Sequence, residues 1–135
     1  MYRITFVINL FKSDKDRPVS HKALSTLLYA LMYVDMLELQ EDPELPLLFK
    51  SGVRYQEEPP GQEDWQDVLT TLSLKIGDCE DLACWRAAEL RVRYGVMAEP
   101  VFIWKLRPNG GYLYHILVRL PDGRIEDPSR TLGMR

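Results

Sequence analysis

The spacing of apolar positions changes along the chain, and each change predicts an element. Residues 3–10 are dense in β-branched and aromatic side chains and predict a strand. Residues 12–18 are polar and end at Pro18, which predicts a loop. Ser20 suits an N-cap, and Leu24, Leu27, Leu28, Leu31, Met32 and Met36 then recur at helical spacing. A long helix to about Gln40 is expected, stopped by Pro43 and Pro46. Residues 41–64 are acidic and proline-bearing, and read as a surface excursion whose acidity is a solvated face. A short helix is expected over residues 64–74, with Trp65, Val68, Leu69 and Leu72 on its apolar side. A second strong helix opens at Gly77-Asp78-Cys79 and ends near Tyr94, where Gly95 sits at C′ and Arg91 and Arg93 suit the helix dipole. Residues 96–104, 112–120 and 124–127 predict three short strands, separated by Asn109-Gly110-Gly111 and Pro121-Asp122-Gly123. Helices followed by antiparallel strands give an α+β domain, with the Cys79 helix packed on the sheet.

The length of 135 residues suits one domain spanning 1–135. Such a chain buries roughly two-thirds of its unfolded surface, enough for a core without metals or disulfides. A net charge of −3, with no block of Lys and Arg, argues against nucleic acid as a partner. No apolar run approaches the roughly 18 residues of a membrane span. The apolar residues 1–11 run straight into charged residues without a small-residue cleavage site, so a strand is expected there, not a signal peptide. Cys79 and Cys84, five apart on one helix, point to different sides and suit a reducing cytoplasm.

Candidate chemistry centres on Cys79. A thiolate is the reactive form of cysteine, and a helix N-terminus lowers a thiol pKa. The same unpaired N–H groups can bind a developing oxyanion. Glu80 and Asp81 partly oppose thiolate formation, so a cationic partner such as an imidazolium is needed. Cys84 lies more than a turn into the helix and reads as a core residue. Cys79, Cys84, His115 and His21 reach a zinc ligand count, but in no tight zinc spacing. His21, in the first turn of the long helix, reads as an exposed histidine.

His115 lies mid-strand. Leu120-Pro121-Asp122-Gly123 predicts a type I turn with glycine in the following left-handed position, a three-residue hairpin loop. That loop pairs Leu120 with Arg124 and sets Leu117 opposite Asp127. Asp127 then lies on the His115 face, about 7–8 Å away diagonally. A two-residue loop would put it on the other face. An aspartate beside a histidine fixes its tautomer and stabilises the imidazolium.

Gly77-Asp78-Cys79-Glu80-Asp81-Leu82-Ala83, the strand residue His115 and Glu126-Asp127-Pro128-Ser129 together resemble the Cys, His and Asp motifs of the transglutaminase-like superfamily, in the same chain order. The resemblance covers about residues 62–130. It implies a papain-like fold and a catalytic triad of Cys79, His115 and Asp127 acting through a thioester on a peptide or amide substrate. It also implies a side-chain oxyanion donor upstream of the cysteine, for which Trp65 and Gln66 are candidates. Short stand-alone members look like phage or prophage proteins, which implies a phage or host protein partner and a cytoplasmic or virion-associated location. No cofactor, metal, membrane or nucleic acid is expected. The other reading is a structural or binding protein that keeps the fold without turnover.

Overall fold

The long apolar stripe builds the first element. In the computed structural model, which describes residues 3–5, 7–8, 17–59, 63–106, 108 and 112–135, helix α1 runs Arg17–Glu41. Ser20, Leu24, Leu28, Met32, Asp35 and Leu39 are buried, in steps of three and four that follow one helix face. The helix begins before the expected Ser20 cap. Pro18 lies in its first turn, where a missing N–H costs no bond, and Ser20 is buried inside the helix. His21 is half-buried, not exposed. Its ring lies 3.9 Å from that of Phe102, and its Nδ1 accepts the Trp104 indole N–H at 3.2 Å.

The expected strand over residues 3–10 does not form where it is described. Residues 3–5 and 7–8 join no ladder and are exposed, with Ile4 and Val7 largely in solvent. β-branched composition makes a strand only where an edge is there to pair with it. Residues 6, 9, 10 and 12–16 lie outside the described residues.

The segment after α1 is more than a surface excursion. Leu48 and Val53 are core residues. A 3₁₀ turn spans Leu48–Lys50, and strand β1 (Arg54–Tyr55) pairs in parallel with β2 (Ile76–Gly77). Helix α2 covers Val68–Leu74, shorter than expected because Asp67 caps it, accepting the Thr70 N–H at 2.9 Å. Trp65 therefore lies in the approach to the helix. Two acids of α1 also hold this N-terminus: Asp35 accepts from Val68 N at 3.0 Å and Glu38 from Leu69 N at 3.1 Å.

Helix α3 runs Cys79–Tyr94, as the sequence indicates, and Gly95 closes it at φ 66°. Leu82, Ala83, Cys84, Trp85, Ala87, Ala88 and Leu90 are buried around most of its circumference, the mark of a central helix. It packs on α1 and on the sheet. Val96 N–H still bonds Leu90 O at 3.0 Å, so strand β3 starts only at Glu99 and runs to Leu106. Strand β4 is Tyr112–Arg119 and β5 is Ile125–Glu126, in an antiparallel sheet of order β3-β4-β5. The last expected strand is cut short because Asp127 caps a one-turn helix, α4 (Pro128–Thr131). The expected turn at residues 109–111 lies outside the described residues. The chain is thus an α+β fold with a helix packed on an antiparallel sheet. Among the described residues no helix is long and apolar enough to cross a membrane.

Candidate functional site at the mouth of the third helix

Gly77 ends β2 in a space with no room for a side chain. A Cβ there would meet Thr71 Cγ2 at 3.1 Å, Asp81 Cβ at 3.2 Å and Leu82 Cδ2 at 3.3 Å. The chain therefore passes tightly into Asp78, the N-cap, and Cys79 becomes the first residue of α3. Asp81 closes the turn, accepting the Asp78 backbone N–H at 3.1 Å.

The hairpin β4–β5 brings the other two candidates together. Arg119 pairs with Ile125 and Val118 with Glu126. Leu120 N bonds Arg124 O at 2.8 Å, Gly123 N bonds Leu120 O at 2.9 Å, and Gly123 has φ 90°. This is the register expected from the turn residues, and Asp127 falls on the His115 side. His115 Nε2 stands 3.1 Å from both carboxylate oxygens of Asp127. An ionised carboxylate only accepts, so Nε2 carries the proton and Nδ1 is the basic nitrogen. The hairpin is tied to the Cys79 helix one residue earlier. Arg86 of α3 bonds Glu126 at 2.8 Å and Glu89 at 2.7 Å, and Glu89 in turn accepts from Leu48 N at 2.7 Å.

The Cys79 sulfur meets this hairpin at the backbone N–H of Ile116, next to His115. Its thiol donates to Glu80 Oε2 at 3.0 Å. Burial comes first in pushing the thiol pKa up, followed by the Glu80 carboxylate and Asp78; the Ile116 N–H opposes them. This departs from the lowered thiol expected at a helix mouth. The dipole contributes at most about 1–2 kcal/mol, and burial of the sulfur, with the Glu80 carboxyl added to it, outweighs that.

That carboxylate belongs to a group the sequence did not reveal. One oxygen each from Glu58, Asp78 and Glu80 lies within 4.8 Å of the others. Among the described residues, Glu58 Oε1, Asp78 Oδ1 and Glu80 Oε1 are buried without a hydrogen-bond partner. Burial lifts Glu58 to about 8, Asp78 to about 7 and Asp81 to about 7, and pushes Glu80 up as well. Such oxygens form a hard donor set of the kind calcium or magnesium takes. Among the described residues no other such group exists, so Cys79, Cys84, His115 and His21 form no zinc set. Glu58 comes from the acidic loop expected to be a solvated face; the path of that loop has no sequence signal. Two tyrosines border the group. Burial leads in raising Tyr55 to about 12, and the Cys79, Glu57, Asp78 and Glu80 charges add to it. Tyr114, one residue before His115, is raised too, by burial, Glu80 and a hydrogen bond to Glu63.

Comparison with protein-family models, with curated sequences and with solved structures finds no match. The site is therefore argued from its own residues. Trp65 is half-buried against the core and spends its single N–H on Glu63 Oε2 at 3.3 Å. Gln66 Nε2 donates to Asp81 Oδ2 at 3.2 Å and keeps a second hydrogen, so among the described residues only Gln66 of the two retains a donor. Cys84 is fully buried and donates to Leu28 O at 3.4 Å, the structural role expected of it.

Proposed function

We propose that this chain performs thiol-dependent acyl transfer or hydrolysis on a peptide or amide, with Cys79 as nucleophile, His115 as base and acid, and Asp127 as its orienting partner. The observation that carries this reading is the His115–Asp127 pair, 3.1 Å apart, on a strand whose next N–H meets the Cys79 sulfur. His115 Nδ1 takes the thiol proton as sulfur attacks the carbonyl carbon. The C–S bond forms, the oxyanion collapses, and the C–N bond breaks as the imidazolium protonates the amine. Water or a second amine then releases the acyl group from the thioester. The resemblance to transglutaminase-like proteins supports the same roles and a papain-like core. The same resemblance supports a peptide or protein substrate and a phage or host protein partner.

The contact of the thiol with Glu80 and its raised pKa favour the second reading, a binding or structural protein that keeps these residues without turnover. Iodoacetamide separates the two. Enzyme chemistry requires Cys79 to be alkylated at neutral pH much faster than Cys84, and His115→Ala to slow it. Slow, equal rates at both cysteines favour the binding protein. An acyl-trap assay with and without added amine then divides transfer from hydrolysis.

A further inference from the structure

Asp81 takes no part in the thiol chemistry above, yet it is almost wholly buried, 1% exposed, at the third position of α3. Its carboxylate accepts three N–H groups. Oδ1 takes the Gln66 backbone N–H at 2.7 Å; Oδ2 takes the Gln66 side-chain N–H at 3.2 Å and the Asp78 backbone N–H at 3.1 Å. Closing the helix turn needs only the bond to Asp78. The two bonds to Gln66 bring the approach to α2 onto the same carboxylate, fifteen residues away in sequence. Burying a carboxylate is costly unless its oxygens are filled, and here they are filled by Gln66 and the Cys79 turn together. Among the described residues, the side-chain amide of Gln66 is held by one hydrogen, its other hydrogen remains, and its Oε1 is buried without a partner.

We infer that Asp81 is a positioning residue, fixing the Gln66 side-chain amide in one frame with the Cys79 turn so that the second Nε2 hydrogen serves the oxyanion. The inference rests on the acyl-transfer reading and adds to it a residue that touches neither substrate nor sulfur. Preorganised donors act because they need not reorient as charge develops on the carbonyl oxygen.

The test is hydrolysis of p-nitrophenyl acetate by the full chain, with thermal unfolding measured on every variant. Cys79→Ala must abolish turnover; turnover that survives it overturns the acyl-transfer reading and this inference with it. Given Cys79-dependent turnover, Gln66→Ala lowers kcat about a hundredfold with KM nearly unchanged, the loss expected for one oxyanion donor. Asp81→Asn, which keeps a single acceptor oxygen, also lowers kcat, and in the Gln66→Ala background it lowers kcat no further. Gln66→Asn withdraws the amide from Asp81 by one methylene and leaves both backbone bonds in place. It carries the test if Asp81→Asn does not fold, and its kcat falls close to that of Gln66→Ala. Multiplying losses in the double variant, or a wild-type kcat in Gln66→Asn, overturn the positioning role while leaving Cys79 as nucleophile.

Discussion

Replacing Asp127 separates the stability of the site from its chemistry. The carboxylate does three things. It accepts from His115 Nε2, it caps α4 through Arg130 N at 3.3 Å, and it faces the Arg130 side chain at 3.5 Å. His115 is buried, so the first bond is worth about 1.5–3 kcal/mol as a charged hydrogen bond. The cap contributes about 1 kcal/mol. The Arg130 side chain is mostly exposed and adds little. Asp127→Ala should therefore cost about 3 kcal/mol, and lower the melting temperature by about 10 °C in a domain of this size. Asp127→Asn keeps an oxygen for the cap and a polar partner for the ring, so its melting temperature should fall only a few degrees. The negative charge is gone in both. At about 4 Å and an effective dielectric near 20 that charge stabilises an imidazolium by about 4 kcal/mol. With Asp127 one-fifth exposed, about half of this survives, a factor of about thirty in rate. Cys79 alkylation by iodoacetamide at pH 7.5, read by mass spectrometry with Cys84 as internal control, should thus slow about thirtyfold in both variants. An Asp127→Asn protein that alkylates at the wild-type rate would refute the coupling of carboxylate, ring and sulfur.

Glu80→Gln should act in the opposite direction at alkaline pH, where the raised Glu80 carboxyl is ionised: removing the charge bonded to the thiol speeds Cys79 alkylation by about tenfold or more, and an unchanged or slower rate counts against the electrostatic account. Burial lifts Glu38 to about 7 and pushes Asp35 up, while unfolded carboxyls titrate near 4, so the folded state holds more protons between about pH 4 and 7. That contribution to stability is full below the unfolded pKa and is lost as pH rises through the folded one. The urea midpoint should be higher at pH 5 than at pH 8, with Asp35→Asn narrowing the difference; a midpoint that climbs toward pH 8 contradicts this. Gly77→Ala forces a methyl against Thr71, Asp81 and Leu82 and should cost about 1–3 kcal/mol, visible as a lower melting temperature.

The parts of the site that follow from local rules were legible in the sequence. Cys79 at a helix start, Gly95 at its end and the Leu120–Arg124 pairing each depend on neighbouring residues only. The parts that depend on distant chain were not. Asp35 lies on the same stripe as Leu28, Met32 and Leu39, but a buried acid at a core position is decided by Val68, thirty-three residues away. Glu58 reaches the Cys79 neighbourhood through an irregular segment that has no period to read. The dipole argument for Cys79 failed for the same reason, since the burial that opposes it first, and the charges that add to it, are set by tertiary approach as well as by Glu80. The strand expected at residues 3–10 had the right composition but, where described, no edge to join.

The bend between β4 and β5 sits in water, where loop length is ordinarily free to drift. Here it is not free. Taking out one residue between Leu120 and Arg124 would turn the carboxylate at 127 away from the imidazole and Glu126 away from Arg86. The most solvent-washed part of the hairpin therefore governs whether the carboxylate and the imidazole meet at all, and variants of altered loop length should lose that pairing.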